Sequence, residues 1–327
     1  MAESIDIREL NIRIEQQSQF VTNLVMGMNK VIVGQKHLVD CLLIGLLSDG
    51  HILLEGVPGL AKTLAIKTLS QLISADFSRI QFTPDLMPSD VLGTTVFNMK
   101  TNDFDFHQGP VFADLVLVDE INRAPAKTQA ALFEVMEERQ VSIDGTTHQM
   151  GELYTILATQ NPVEQEGTYK LPEAQLDRFL MKITMGYPSL EEEVDILERH
   201  HANASLVKLE SLTPVLTKEE LLSLRRLIEH VFVDRTLLQY IALIVQQTRT
   251  SKAVYLGASP RASVAMMQAS KAYALLQGRD FVTPEDIKFV APYVLQHRLI
   301  LTAEAEMEGY SPVKVTQRLI DKVEVPK

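Results

Sequence analysis

The chain has 327 residues, 46% of them hydrophobic and 22% charged, an ordinary globular mixture that excludes an intrinsically disordered polymer. Its length is that of about two domains, and its net charge of -11 argues against a protein that lives on non-specific phosphate contacts to nucleic acid. A single cysteine excludes an internal disulfide framework.

The acidic, polar start MAESIDIREL is unlike a secretory signal. No apolar run reaches membrane-spanning length, because CLLIGLLSDGHILL is broken by Asp49, Gly50 and His51. The expectation is a soluble cytoplasmic protein without a membrane span. Cys41 lies in the helix-like VDCLLIGLL and reads as a small buried hydrophobe.

From His51 the chain alternates between apolar strand-like runs and helix-like segments. HILLEG, FSRIQF, DLVLVDE, YTILATQN and FLMKITMGY are the strands, and their near-continuous apolar character predicts a parallel sheet covered on both faces. Between the first strand and the helix-like LAIKTLSQLI stands GVPGLAKT. Strand, glycine loop, lysine with hydroxyl, then helix is the order that turns such a loop into a phosphate cradle. Gly56 and Gly59 let the backbone approach an anion, Lys62 would reach the β and γ phosphates of ATP, and the Thr63 hydroxyl would hold Mg²⁺. The candidate nucleotide contacts are Gly56, Val57, Pro58, Gly59, Leu60, Ala61, Lys62, Thr63 and Leu64. Ala61 occupies the place before the lysine where such loops usually carry glycine. As the first residue of a helix it would have negative φ, and its methyl group would cost little.

DLVLVDE then ends in two carboxylates. Asp119 at a strand's carboxyl end can complete a Mg²⁺ shell, and Glu120 beside it can orient and polarise an attacking water. The strand FSRIQF lies between the two motifs, as in ATPases with a dedicated catalytic glutamate. Asp144-Gly145 in QVSIDGTTHQM predicts a hairpin turn. Past Pro188 strand signals give way to helices. Ser189 with Glu192 and Thr217 with Glu220 make capping boxes, Leu221, Leu224, Leu227, Ile228 and Val231 share a helix face, and Thr283-Pro284 opens a further helix with Val282 and Ile287 as its staple. The predicted organisation is an α/β nucleotide-binding domain over residues 1–187 and a helical domain over 188–327. The eight histidines form no metal pattern, so Mg²⁺ and no transition metal is expected.

GVPGLAKT, LVLVDEINRAP, ATQNP and LPEAQLDRF, with VIVGQ before and GASPRAS after them, resemble the AAA+ superfamily and within it the MoxR family, over nearly the whole chain from Val31. Alanine before the lysine is usual in that family. The resemblance implies a P-loop parallel-sheet domain followed by a small all-helical lid, and a homo-oligomeric ring, a hexamer. It implies further roles by position. Asn161 matches the sensor that positions water near the γ-phosphate, Arg178 the arginine finger for a neighbouring subunit, and Arg261 the second sensor, with its action in cis or in trans left open. Arg123 is a further interface candidate, and Val33 and Gly34 line the adenine pocket. TTVFNMKTNDFDFHQGPVF corresponds to a hairpin-like insert in helix 2, which related machines use to touch a client. The implied activity is ATP hydrolysis driving chaperone-like remodelling of protein clients, some with von Willebrand factor A domains. A magnesium-chelatase-type subunit, a nucleic-acid motor or transcription activator of the same clade, and a non-hydrolysing nucleotide-binding scaffold remain the alternatives.

Overall fold

The computed structural model describes residues 20–57, 59–162, 167–201, 209 and 212–325. A helix over 20–31 (α1) and α2 (Lys36–Leu47) precede the first strand. Then β1 (Ile52–Glu55), α3 (Lys62–Leu72), β2 (Phe77–Gln81) and α4 (Pro88–Leu92) follow. β3 (Gly93–Asn98) and β4 (Asp103–Gln108) form the predicted insert as an antiparallel hairpin. β5 (Leu115–Asp119), α5 (Ala126–Glu138), a second hairpin of β6 (Gln140–Ile143) and β7 (Thr146–Gln149), then β8 (Thr155–Gln160), α6 (Glu173–Leu176) and β9 (Met181–Thr184) complete the first part. Asp144 and Gly145 turn the second hairpin, both with positive φ.

The strands β2, β5, β8, β1 and β9 lie in that order in one sheet, and every pair is parallel. The strand that separates β1 from β5 is therefore β8, while FSRIQF lies at the sheet's edge. Chain order did not give this, because crossovers let a later strand insert between two earlier ones. Alternation along the inner strands β1, β5 and β8 divides the core in two. Leu54, Leu115, Leu117 and Leu157 face one apolar cluster, and Leu53, Val116, Val118, Ile156 and Ala158 face the other. Cys41 belongs to the first cluster, fully buried as a free thiol whose pKa burial pushes up.

α7 (Leu190–His201), α8 (Lys218–His230), α9 (Arg235–Thr250), α10 (Pro260–Leu276), α11 (Pro284–Leu295), α12 (Ala303–Met307) and α13 (Pro312–Lys322) build the second part. Its start follows the predicted caps: Glu192 accepts from Ser189 N at 2.8 Å, and Glu220 from Thr217 N at 2.7 Å. One departure from an all-helical expectation is a small antiparallel pair, β10 (Val254–Leu256) with β11 (Ile300–Leu301), too short for any sequence alternation to announce. The first cluster runs on without a break into these helices. Just past α11, Gln296 donates to Lys182 O and accepts from Thr184 Oγ1, covering the open edge of β9. Among the described residues no helix is long and apolar enough to cross a membrane.

His51 enters β1 fully enclosed. Its Nδ1 accepts from Ile156 N at 3.0 Å, so Nε2 carries the proton and donates to Met136 O at 3.2 Å. Burial holds its pKa down at about 4 against an ordinary 6.5, with the Met136 carbonyl pulling the other way. The folded value is the lower one, so the unfolded chain takes up the proton first. The stability supplied by neutral His51 is complete above about pH 6.5 and is lost as pH falls toward about 4, on the order of 3 kcal/mol. Denaturant midpoints followed from pH 7 to 4.5 should drop less steeply in His51→Gln, whose amide can keep both hydrogen bonds without charging. Parallel pH profiles for the two proteins would refute this account.

Candidate active site

Because the sheet is parallel, the loops after β1, β5 and β8 all open at one edge, the carboxyl edge. Lys62 begins α3 there. Its ammonium donates to Gly56 O at 2.7 Å, bending over the loop it belongs to. Burial lowers its pKa, opposed by the charges of Asp119, Glu120 and Glu55, so these groups share one electrostatic neighbourhood. Thr63 is half-buried on the first helical turn, Leu60 is buried under the loop, Val57 packs against the first cluster and Leu64 is partly exposed. Gly59 has φ +87 with open space where a Cβ would stand. Pro58 lies outside the described residues.

Ala61 corrects the sequence reading. It is not the first helical residue but the cap before it, with φ 57 and ψ 21, in the left-handed region. The chain must reverse from the loop into α3 within one residue, and that turn demands positive φ. A methyl group there is strained.

Asp119 ends β5 nearly buried. Its Oδ1 accepts from the Thr159 hydroxyl at 3.0 Å, and its Oδ2 accepts from Arg79 Nε at 2.7 Å. Glu120 follows with φ 57 and ψ 49, a second left-handed residue, and its N–H donates to the same Thr159 hydroxyl at 3.0 Å. Thr159 thus holds both carboxylate-bearing residues from β8. Glu120 Oε2 lies 3.1 Å from Arg123 Nε without hydrogen-bond alignment, and is otherwise a buried oxygen with no hydrogen bond. A strained backbone carrying a carboxylate with one oxygen left without a hydrogen bond is a common mark of a reacting group. Asn161 is buried just beyond β8, on the same edge. Beside it Glu55 accepts from Gln160 and pairs with Lys182 at 2.7 Å.

Mg²⁺ in phosphoryl-transfer sites takes one or two protein oxygens and leaves the rest of its shell to phosphates and water. The Asp119 carboxylate, with lone pairs to spare beside its two hydrogen bonds, and the Thr63 hydroxyl are such a donor set, so the residues fit the ion. Among the described residues no group of three or more His, Cys, Asp or Glu side chains could hold a metal.

Val33 and Gly34 border a cavity of about 300 Å³ shared with Val25, Asn29, Asp40 and Glu192. Gly34 has φ +65, and a Cβ there would stand 2.1 Å from Glu192 Oε1, which accepts from Gln35 N. A side chain at this position would be strained by the positive φ and would displace the Glu192 carboxylate.

The two remaining arginines are elsewhere. Arg178 precedes β9, and Ser48 to His51 precede β1, which is in register with it from Ile52↔Met181. These are amino ends of strands, and here Arg178 and Arg261 line one large open cavity. Arg178 Nη2 lies 2.7 Å from Glu137 Oε2, and Arg261 Nη2 2.6 Å from Glu137 Oε1. Asp177 accepts from Ser259 Oγ at 3.1 Å and from the buried Arg298 at 2.6 Å, tying the segments before both arginines together. The structure therefore joins Arg178 to Arg261, and joins neither to Lys62.

Thr159, Arg79, Glu137 and Asp177 were not foreseen. Arg79, exposed on the edge strand, carried no signal, whereas Thr159 carried one, since a hydroxyl inside a strand buried in a sheet needs a partner. Glu137 also did: a carboxylate in the last turn of a helix opposes the helix dipole.

Residues 51–181 match the family described as ATPase family associated with various cellular activities (AAA), and residues 246–321 match the AAA lid domain. The chain is 48% identical to the uncharacterised protein YeaC of Bacillus subtilis, over 92% of this chain and 93% of that one. It is 46% identical to Chaperone MoxR1 of Mycobacterium tuberculosis, over 93% of this chain and 81% of the relative. A crystal structure of a protein assigned as an ATPase from Cytophaga hutchinsonii superposes with a TM-score of 0.88 at 42% identity, covering 98% of both chains.

The conformation of Ala61 sets an expectation for its replacement. Left-handed alanine costs about 1–2 kcal/mol, whereas glycine costs about 0.4–1 kcal/mol through the freedom it gives the unfolded chain. Ala61→Gly should therefore stabilise the protein by up to about 1 kcal/mol, with nucleotide affinity within a few fold of wild type. Urea midpoints and fluorescent-nucleotide titration measure both; a clear loss of stability would refute the positive φ.

Proposed function

This chain belongs to the MoxR family of AAA+ ATPases, and from that premise we propose that it hydrolyses Mg²⁺-bound ATP at the interfaces of a homo-oligomeric ring, a hexamer, to remodel protein clients. Nucleotide binding and ATP hydrolysis come with the family. The interfacial part rests on one observation, the division of charge between the two edges of the sheet. Asp119 ends a strand and Lys62, Glu120 and Asn161 follow strands, whereas Arg178 precedes one and Arg261 joins it. Strands of 4 to 6 residues separate those edges by roughly 13–20 Å, beyond an arginine's reach. A neighbouring subunit can supply what its own arginines cannot, which favours action in trans for Arg261 as well as Arg178.

In this reading the free N–H groups at the start of α3 and the Lys62 ammonium take the β and γ phosphates. Mg²⁺, when bound through Thr63 and Asp119, neutralises phosphate charge. Glu120 orients the attacking water and takes its proton, with its left-handed backbone and the Thr159 hydroxyl holding its position. Asn161 holds the same water near the γ-phosphate. The arginine pair of the next subunit stabilises charge that develops on the transferred phosphoryl group. A client role is supported by the relative named a chaperone and by the exposed Phe97, Met99 and Phe104 of the β3–β4 hairpin. A partner with a von Willebrand factor A domain is the client class proposed first.

Lys62→Ala should abolish tight ATP binding, because a charge-assisted contact to the phosphates is lost. Glu120→Gln should bind ATP normally and turn it over at least about 100-fold more slowly. Arg178→Ala should bind ATP nearly as wild type and lose about 10³-fold or more in rate, or at least 4 kcal/mol of barrier stabilisation. The deciding measurement mixes Glu120→Gln with Arg178→Ala after native mass spectrometry has verified mixed rings. Activity should reappear, since some interfaces then unite an intact Glu120 with an intact neighbouring Arg178. Mixed rings that stay silent would overturn the trans assignment.

A further inference from the structure

Glu137 holds two arginines that no local feature of the chain would hold together. Arg261 is the second residue of α10, whose first turn contains no acidic residue, so its charge sits at the positive end of a helix dipole. Glu137 is in the last turn of α5, where no basic residue offsets it and the dipole disfavours a carboxylate. Each side chain is misplaced with respect to its own helix, and the pairing of the two removes both conflicts. Arg178 joins from a third segment, and also donates to Phe133 O on α5. One carboxylate thereby spans an arginine from the sheet part and an arginine from the helical part.

The geometry leaves the arginines open for an anion. A guanidinium has five N–H donors; Glu137 accepts one from Arg261 and pairs with Arg178 by charge, while Arg178 gives one to Phe133 O. The Arg261 side chain is 59% exposed. Without an anchor, a long side chain so exposed would lose on the order of 2 kcal/mol of rotamer entropy on being ordered against a phosphate. A single shared negative charge also offsets the repulsion between two adjacent guanidiniums while leaving the pair net positive. The carboxyl stays ionised, because the Arg261 hydrogen bond lowers its pKa, aided by the charge of Arg178.

A purely structural role fits less well. The two parts of the chain are already fastened by Asp177 to the buried Arg298, by Ser259 to Asp177, by Gln296 to Lys182 O and by His297 to Phe179 O. Glu137 is a third exposed and adds little to that seam.

We propose that Glu137 is the positioning residue for the interfacial arginines, holding Arg178 and Arg261 side by side so that both meet the phosphates of the neighbouring subunit's nucleotide. This rests on the trans reading given above, and complementation separates the two. Glu137→Gln keeps the size of the side chain and loses the charge. It should bind a fluorescent ATP analogue at its own site within about twofold of wild type and melt close to wild type, while turnover falls about 10- to 100-fold, part of what an arginine finger supplies. In verified mixed rings it should regain activity with Glu120→Gln, whose arginines and Glu137 are intact. It should regain none with Arg178→Ala, which fails at the same place. A merely weakened fold would produce no such grouping.

Wild-type or faster turnover in Glu137→Gln would overturn the inference, the faster case making Glu137 a latch that competes with phosphate. So would rescue by Arg178→Ala, which would assign Glu137 to its own chain's site. If Glu120→Gln and Arg178→Ala fail to complement each other, the trans reading itself falls and this inference with it. Glu137→Asp serves as the second variant: its charge is retained but its shorter reach cannot span both arginines, and an intermediate rate with the same grouping is expected, whereas full activity would count against the shared grip.

Discussion

All five strands of the central sheet run in one direction, and the placement of every charged group of interest follows from that. Among the connections, α3 packs on one face of the sheet and α5 on the other. The inner strands β1, β5 and β8 are apolar on both faces, and their alternate residues enter two separate cores. The carboxyl ends collect on one edge, where the chain turns toward helix N-termini and an anion is favoured. The amino ends collect on the other edge, where the chain arrives from the segments that connect the strands. Charged groups are thus sorted by whether they follow or precede a strand. Lys62 and Glu120 fall on one side, and Arg178 on the other.

The carboxyl edge stores backbone strain. Ala61 and Glu120 both take left-handed conformations that non-glycine residues avoid, and Gly34 with Gln35 makes a third such turn nearby. Each lies where the chain must change direction within one residue, between loop and helix or between strand and turn. The surroundings that over-determine them are identifiable. The Thr159 hydroxyl fixes the Glu120 N–H, Lys62 folds back onto Gly56, and Glu192 receives Gln35 N. Strain at these points is the cost of presenting backbone donors and a carboxylate to the same small volume.

The amino edge is organised by carboxylates instead. Asp177 receives Ser259 and Arg298, and Glu137 receives Arg178 and Arg261, so four groups from distant parts of the chain converge on two acidic side chains. Arg298 is almost wholly enclosed, and truncating one partner of such a pair would leave the other as a buried charge. The helical part is therefore fastened against β9, which brings the Arg178 and Arg261 segments together, and Glu137 joins their two side chains. Electrostatics and packing act on the same seam, since the first apolar cluster runs through it as well.

Much of this was legible from the order of residues. Apolar runs bounded by turn residues announced the strands, Ser189 with Glu192 and Thr217 with Glu220 announced helix starts, and Asp144-Gly145 announced a hairpin, because each of these is a local preference satisfied within a few residues. GVPGLAKT after a strand and two carboxylates at another strand's end pointed to a nucleotide for the same reason. What the sequence could not decide is whatever depends on distance through space. The left-handed turn at Ala61 is imposed by the meeting of loop and helix, and alanine carries no local sign of it. The insertion of β8 between β1 and β5 is a choice of crossover. Above all, Glu137 and Arg261 each oppose the dipole of their own helix, a conflict visible in the sequence. Its resolution, one carboxylate shared by two arginines from segments far apart in the chain, exists only once the sheet and the helices have packed.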